Sequence, residues 1–324
     1  MDDKATDNEG NGDYDGSFDP IAIIDPAAFD NDFFSISGLE AQAMDPQQRL
    51  MLEMAHETFE NAGLTVKVLE KSQTGVYCAS TYQDYDQILG RDPELSANTL
   101  VAIHEACRAL RMGDIDQALV GGANLILDPD KLMVQSSMQF LSQDGRCYSF
   151  DARASGYSRG EGVAGIMLKP LSAALRDGDS VRAIVRGTSV VSDGRTPGIT
   201  MPSMDSQVEA ITKAYEQAGL TLADTIYIEA HGTGTIIGDK AEALAFATTM
   251  GKDRTEKIFV GSVKSNLGHI ENASGLASVI KTVLAIENGV IPPVPTFEKP
   301  SEQLPLDQMG ITVIHQAQSV ICMN

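Results

Sequence analysis

Short apolar runs alternate with helix-spaced segments along most of the chain, and this alternation constrains its fold more than any other feature. The apolar runs are too short for helices and are bounded by turn residues, which is typical of buried strands. The alternation predicts an α/β protein with helices on both faces of a largely parallel sheet. Strands are predicted at residues 74–80, 117–127, 163–169, 181–191, 226–229 and 258–263, and helices at 46–62, 100–112, 206–218, 239–250 and 274–287.

The charge balance excludes one class of function. The chain has 324 residues, with 24 Lys and Arg against 45 Asp and Glu, a net charge of −21. Such a chain repels nucleic acid and anionic membrane surfaces, so neither is expected as a partner. Residues 1–16 carry six acids and one lysine, and they are expected to form a disordered tail. The remaining composition, with 43% apolar residues, predicts a folded core.

Targeting and redox features are sparse. No apolar run approaches the roughly 18 residues of a membrane helix, and the first residues are acidic where a secretory signal would be basic. The cytoplasm is therefore the expected compartment. The four cysteines form no CxxC pair, so neither a disulfide framework nor a zinc site is predicted. These cysteines are Cys78, Cys107, Cys147 and Cys322.

The segment from Glu229 to Thr235, Glu-Ala-His-Gly-Thr-Gly-Thr, directly follows a predicted strand. Ligands bind at such strand ends in open α/β sheets. The two glycines allow a sharp turn, which would present His231 at the end of the strand. A nucleotide-binding loop or a simple tight turn are alternatives. A dinucleotide fingerprint is disfavoured, because the glycine spacing does not fit GxGxxG.

A second segment repeats this arrangement after the next predicted strand. It runs Lys264-Ser-Asn-Leu-Gly-His269, so His269 follows His231 by 38 residues. A single histidine is more often a core residue than a catalyst, but two at equivalent strand ends beside a lysine favour chemistry. Neutral imidazoles near a cation can donate hydrogen bonds to a developing oxyanion or enolate.

Five short patterns occur in order along the chain, and together they resemble the β-ketoacyl synthase domain of polyketide synthases. The resemblance extends from about residue 19 to about residue 312. Cys147-Tyr-Ser-Phe-Asp151 and Asp193-Gly-Arg-Thr-Pro-Gly-Ile-Thr200 are most similar to the fungal highly reducing class. The five patterns are Phe33-Phe34-x-Ile36-Ser37 with Met44-Asp45-Pro46-Gln47-Gln48-Arg49, Asp144-Gly145-Arg146-Cys147, Gly156-Tyr157-x-Arg159-Gly160-Glu161-Gly162, Glu229–Thr235 and Val263–His269.

The resemblance implies a thiolase-like fold, layered α/β/α/β/α, with two similar halves at residues 17–170 and 171–324. It further implies a homodimer that performs a decarboxylative Claisen condensation of acyl and malonyl thioesters. These thioesters are carried by the phosphopantetheine of an acyl-carrier protein, and no cofactor or metal is bound directly. By position in the patterns, the catalytic residues are His231, His269 and Lys264, and the substrate-binding residues are Thr233, Thr235 and Asn266.

The chain departs from the family pattern in its N-terminal half, which is therefore incomplete. The Asp-Thr-Ala-Cys-Ser-Ser segment with the nucleophilic cysteine does not occur. Segments are missing near residues 25–28, after the predicted first strand Ile21–Ile24, and near 92–100. Counting back along the nucleophile helix puts Ser96 where the cysteine would stand, and a serine is a poor replacement for a thiolate. Cys107 and Cys78 are expected to be small core residues.

Two functions remain open from the sequence. One is a polyketide β-ketoacyl synthase that is impaired because its cysteine segment is absent. The other is an inactive remnant that at most decarboxylates malonyl thioesters, or serves as a dimerisation or carrier-binding module. A metal site built on His104 and Cys107 has little support, because two ligands without a second pair are usually coincidental.

Overall fold

A computed structural model describes residues 25, 27–79, 99–196, 198, 201–251, 254 and 256–319. The predicted tail at 1–16, the predicted first strand Ile21–Ile24, and Ser96 and Cys322 lie outside these residues. The helices are α1 Gly38–Ala43, α2 Pro46–Asn61, α3 Val66–Leu69, α4 Thr99–Met112, α5 Pro129–Ser137, α6 Leu171–Asp177, α7 Met204–Ala218, α8 Ile236–Phe246, α9 Lys264–Leu267 and α10 Ser274–Asn288. The strands are β1 Thr74–Ala79, β2 Gln117–Asn124, β3 Gly162–Leu168, β4 Tyr227–Glu229, β5 Ile258–Gly261, β6 Val290–Ile291, β7 Ile311–Val313 and β8 Gln318–Ser319.

The first sheet has the order β1-β2-β3. The central strand β2 is buried along its whole length, as its run of small and β-branched residues predicts. It pairs in parallel with β1, where Val76 lies opposite Leu119, and antiparallel with β3, where Val120 lies opposite Ile166. Helices cover both faces of this sheet. Met54 of α2 lies against one face, and α4 and α10 pack on the other.

The second sheet has the order β4-β5-β7, and its three strands are parallel. Its core includes Phe246 of α8 together with Val260 and Ile311 from the strands. Because the strands are parallel, the ends of β4 and β5 lie side by side, with Glu229 opposite Gly261. The loops that follow these two strands therefore start from the same edge of the sheet. The strands β6 and β8 form a separate antiparallel pair.

Local sequence signals account for the helix ends. Asp45 caps α2 by accepting a hydrogen bond from the backbone N–H of Gln47 at 2.8 Å, and Pro46 occupies the first helical position. Asp128 and Pro129 start α5 in the same way. Gly219 and Gly289 end α7 and α10 in the left-handed conformation. None of the described helices is long and apolar enough to span a bilayer.

Two expectations from the sequence are wrong. The predicted strand at 181–191 pairs with no described strand, and the backbone N–H of Thr188 instead donates to the side chain of Gln217 at 2.8 Å. Apolar composition alone does not make a strand, because a strand also needs a neighbour for its backbone hydrogen bonds. Cys78, expected in the core, is exposed on β1.

Candidate active site

The predicted site residues lie on two loops at the carboxyl ends of β4 and β5. His231 follows β4 by two residues, and Lys264 follows β5 by three and begins the short helix α9. His269 comes directly after Gly268, which ends α9 with φ 72°. Its backbone pairs with a neighbouring segment, since the N–H of His269 donates to the carbonyl of Ser158 at 2.7 Å. The sheet thus brings the two histidine segments together, as their positions after adjacent strands predict.

Close backbone approach explains the two glycines of the first loop. Gly232 and Gly234 have φ angles of 45° and 80°. A Cβ atom on Gly234 would lie 2.7 Å from the backbone nitrogen of Tyr148, and one on Gly232 would lie 2.8 Å from Cβ of Ser262. Any larger residue would be strained at both positions. The glycines therefore serve to pack this loop against its neighbours.

Two carboxylates of α8 accept hydrogen bonds from the backbone of the same loop. The sequence interpretation missed both. Glu242 accepts hydrogen bonds from the backbone N–H groups of His231 at 2.6 Å and Gly232 at 2.9 Å. Asp239 accepts from the N–H of Gly234 at 3.1 Å, and burial raises its pKa to about 7. The spacing of three residues places both acids on one helical face, but it does not indicate which loop that face contacts.

The two imidazoles meet edge to face. Their ring centroids lie 5.3 Å apart with an interplanar angle of 87°. His269 also lies 5.3 Å from the ring of Tyr157, and its Nδ1 is 2.9 Å from the hydroxyl of Ser274. The ring of His269 is therefore fixed on several sides. The side chain of His231 is exposed, which leaves it accessible to a ligand from solvent.

Both histidines are held neutral by their surroundings. Burial lowers the pKa of His269 to about 2, and His231, Lys264 and Arg159 act in the same direction. The pKa of His231 is also lowered, because protein atoms crowd the residue even though part of its surface is exposed, and because Lys264 is near. A neutral imidazole has one N–H to donate. The pair is therefore suited to hydrogen bonding at neutral pH rather than to carrying positive charge.

The cation beside the histidines is deeply buried. Lys264 is 3% exposed, and burial lowers its pKa, while the charges of Glu242 and Glu229 oppose that effect. Glu229 is itself fixed by Lys281, whose Nζ lies 2.7 Å from Oε2, and it accepts from the N–H of Val263 at 2.6 Å. Two buried acids and two buried lysines thus balance each other beneath the site.

The three residues expected to bind substrate differ in burial and in their hydrogen-bond partners. Thr233 is buried, and its hydroxyl lies 3.2 Å from that of Thr235, so the two side chains share one side of the first loop. Asn266 is half-buried on α9, and its side-chain oxygen accepts from Ser265 at 3.3 Å. All three lie on the two loops that carry the histidines.

The cysteines of the described chain have little nucleophilic character. Cys147 is 1% exposed, its Sγ accepts from the backbone N–H of Ser158 at 3.2 Å, and burial raises its pKa. Cys107 packs in the core between α4 and the first sheet, as expected, and its pKa is also raised by burial. Nδ1 of His104 lies within hydrogen-bond distance of the Thr188 hydroxyl, at 2.9 Å. Among the described residues, no group of three or more potential metal ligands occurs.

Family models match both parts of the chain. The model described as β-ketoacyl synthase, N-terminal domain, matches residues 13–99 and 94–174 as two separate segments. The model for the β-ketoacyl synthase C-terminal domain matches residues 182–298. The two N-terminal segments meet at 94–99, within the region where sequence comparison with the family locates a missing piece.

Similar curated proteins are fungal polyketide synthases. Highly reducing polyketide synthase 40 of Fusarium pseudograminearum is 44% identical over 327 residues, and highly reducing polyketide synthase ausV of Aspergillus calidoustus is 46% identical over 325. Each alignment covers 89% of this chain but 13% of the relative. The chain therefore spans about an eighth of the length of these relatives.

Solved ketosynthase structures share the fold. The ketosynthase from module 6 of the bacillaene synthase of Bacillus subtilis 168 superposes with a TM-score of 0.88 at 33% identity, covering 92% of this chain and 58% of that one. An oxazolomycin ketosynthase domain of Streptomyces albus JA3453 gives 0.85 at 34% identity, covering 91% and 57%. These matches confirm the thiolase-like fold predicted from the sequence.

Proposed function

The chain belongs to the β-ketoacyl synthase family, and on that premise we propose that its paired-histidine site performs the decarboxylation half of polyketide condensation. The substrate is a malonyl thioester. The observation that carries this proposal is the edge-to-face contact of His231 and His269, 5.3 Å between centroids, beside the buried Lys264. Two neutral N–H donors beside a lysine match the charge that develops on an enolate oxygen.

The reaction follows from these donors. The bond between the malonyl carboxylate carbon and Cα breaks, its electron pair moves into the thioester as an enolate, and carbon dioxide leaves. His231 and His269 donate hydrogen bonds to the enolate oxygen, while the charge of Lys264 stabilises the same negative charge. A proton from water then adds to Cα and gives an acetyl thioester. Both imidazoles remain neutral throughout, which agrees with their lowered pKa values.

The condensation half needs a thiolate that holds the growing acyl chain. The sequence contains no Thr-Ala-Cys-Ser segment, and the pKa of the Cys147 thiol is raised by burial. A protonated, buried thiol is a poor nucleophile. The chain with this sequence is therefore proposed to stop at the acetyl thioester. A product that contains the missing segment would complete the family's condensation with the same histidines.

The partners follow from the same premise. The malonyl group arrives on the phosphopantetheine of an acyl-carrier protein, which acts as carrier of the substrate. Thr233, Thr235 and Asn266 lie on the two histidine loops and are proposed to contact the thioester and its arm. A homodimer in the cytoplasm is the proposed setting.

Carbon dioxide release tests this function. The full chain is incubated with the malonyl thioester of pantetheine, and the headspace gas is quantified for the wild type, His231→Ala and His269→Ala. Loss of one donor to the enolate is expected to slow release by roughly 10²–10³-fold. His315→Ala, at an exposed residue outside the site, is the matched control and keeps the wild-type rate.

The outcomes separate decarboxylation from a purely binding or dimerising role, the two roles that the sequence left open for a chain without the cysteine. Release that depends on both histidines supports decarboxylation. A folded wild-type protein that releases no carbon dioxide would leave only a binding or dimerisation role. Release that is equal in wild type and in either alanine variant would remove that histidine from the mechanism.

A further inference from the structure

A second charge cluster, formed by Glu271 and Arg159, lies beside His269. The side chain of Glu271 is 13% exposed, and its Oε2 lies 3.9 Å from Nε2 of His269. Its other oxygen, Oε1, lies 3.8 Å from Nε of Arg159, whose side chain is 1% exposed. Gln135 of α5 forms a further side-chain hydrogen bond to the same carboxylate. One acid thus joins α5, the segment of Arg159 and the catalytic histidine.

The backbone at Glu271 supports a specific placement of this side chain. Glu271 has φ 43°, which is in the left-handed region that non-glycine residues rarely adopt. Such a conformation persists only where surrounding structure holds it. Here the neighbouring Asn272 carbonyl accepts from the Thr99 hydroxyl at 2.5 Å, which fixes the turn.

The neutral ring of His269 has two tautomers, with the proton on Nδ1 or on Nε2. Its lowered pKa keeps the ring neutral, so one nitrogen donates and the other accepts. Ser274 lies 2.9 Å from Nδ1, and a hydroxyl can serve there as donor or as acceptor. Ser274 alone therefore leaves the choice open. The second partner of the ring decides it.

We propose that Glu271, held by Arg159 and Gln135, is a positioning residue that keeps the proton of His269 on Nε2. The carboxylate attracts the proton to the nitrogen that faces it, and Nδ1 then accepts from the hydroxyl of Ser274. At 3.9 Å the carboxylate is too far from Nε2 to form a hydrogen bond. The carboxylate thus favours the proton on Nε2 but forms no hydrogen bond with it. The Nε2–H group stays available to donate to another acceptor.

Arg159 favours the charged form of this carboxylate. Burial raises the pKa of Glu271, and the guanidinium of Arg159 together with Gln135 acts against that rise. A protonated Glu271 could donate to Nε2 and move the imidazole proton to Nδ1. The inference rests on the proposed function only in so far as Nε2–H is the donor to the enolate.

The test is nuclear magnetic resonance of the full chain labelled with ¹⁵N-histidine. Long-range ¹H–¹⁵N correlations distinguish the two neutral tautomers, and the signal lost in His269→Asn identifies the residue. The wild type is expected to show the proton on Nε2. Glu271→Gln is expected to shift the population to Nδ1, because the amide can donate to Nε2, whereas Glu271→Asp keeps the charge and the Nε2 tautomer. Glu302→Gln, at an exposed acid, is the matched control.

Wild-type protein with the proton on Nδ1 would overturn the proposal, as would an unchanged tautomer in Glu271→Gln. The wild-type spectrum decides the question even if the Gln variant does not fold. Carbon dioxide release is measured on the same proteins, and Glu271→Gln is expected to lower kcat about tenfold with KM unchanged, with rescue by Glu271→Asp. If the wild type shows the expected tautomers but releases no carbon dioxide, the proposed function is contradicted and the tautomer assignment still holds.

Discussion

Gly234 is the residue at which the first histidine loop comes closest to its neighbours. Its φ is 80°, and a Cβ atom there would lie 2.7 Å from one backbone atom and 3.1 Å from another, both of Tyr148. Backbone atoms cannot move aside as the end of a flexible side chain can. The geometry of His231 therefore depends on a residue that carries no functional group.

Gly234→Ala is expected to destabilise the protein more than Gly113→Ala. Gly113 has a similar φ of 77° but open space around it, so that variant measures left-handed strain alone, about 1–2 kcal/mol. Overpacking at Gly234 is expected to add about 1–3 kcal/mol. The free energy of unfolding in urea gives both values. Equal losses in the two variants would show that the close approach to Tyr148 is unimportant.

The neutral state of His269 has a measurable consequence. Burial lowers its pKa from 6.5 to about 2, so the ring is already deprotonated throughout the range from about pH 5 to about pH 8. Its ¹⁵N and ring-proton shifts are expected to stay constant over that range, while free histidine in the same sample titrates. A midpoint near 6.5 for His269 would contradict the electrostatic description of the site.

At the scale of elements, the two parallel strands β4 and β5 position the chemistry. Their carboxyl ends lie side by side, and α8 and α10 support the loops through Glu242 and Lys281. The helix α10 also begins beside His269, because Ser274 is its first residue. Packing of α10 therefore directly affects the position of the His269 ring.

Leu276→Ala tests that support. Leu276 is 0% exposed and packs with Ala106 and Val120 where α10 meets α4 and the first sheet. The cavity is expected to lower the free energy of unfolding by about 2–5 kcal/mol. Leu284→Ala on the same helix, at a side chain 45% exposed, is expected to lose less than about 1 kcal/mol. Similar losses for both would show that α10 does not depend on this contact.

Much of this element pattern could be predicted from the sequence, because its causes are local. Asp45 and Pro46 mark the start of α2, and the run of small and apolar residues within β2 marks a central strand. The failure at 181–191 has a non-local cause, since a strand needs a partner that composition does not reveal. Among the described residues, none supplies that partner.

The same distinction applies to the site. His231, Lys264 and His269 could be proposed together because each follows one of two adjacent strands. Glu242 and Glu271 could not, because their roles depend on where a helix or a turn packs after folding. A carboxylate that accepts backbone hydrogen bonds or faces an imidazole leaves no fixed spacing in the sequence.

At the scale of the whole molecule, the chain combines two halves of a ketosynthase fold with an incomplete first half. The histidines and Lys264 belong to the C-terminal half, where β4, β5, α8 and α10 surround their loops. The nucleophile of the family belongs to the N-terminal half, where the family match is divided at 94–99. We therefore propose that the chain retains the residues for decarboxylation and lacks those for acyl transfer.

The most direct test follows both steps in one reaction. The full chain is incubated with a malonyl thioester labelled with ¹³C in its carboxylate and with a saturated acyl thioester, and labelled carbon dioxide and intact protein mass are measured together. We expect ¹³CO₂, an acetyl thioester and no acyl group on the protein, including on Cys107 and Cys147. A folded protein that releases no ¹³CO₂, or a mass increase equal to one acyl group, would contradict the proposed function.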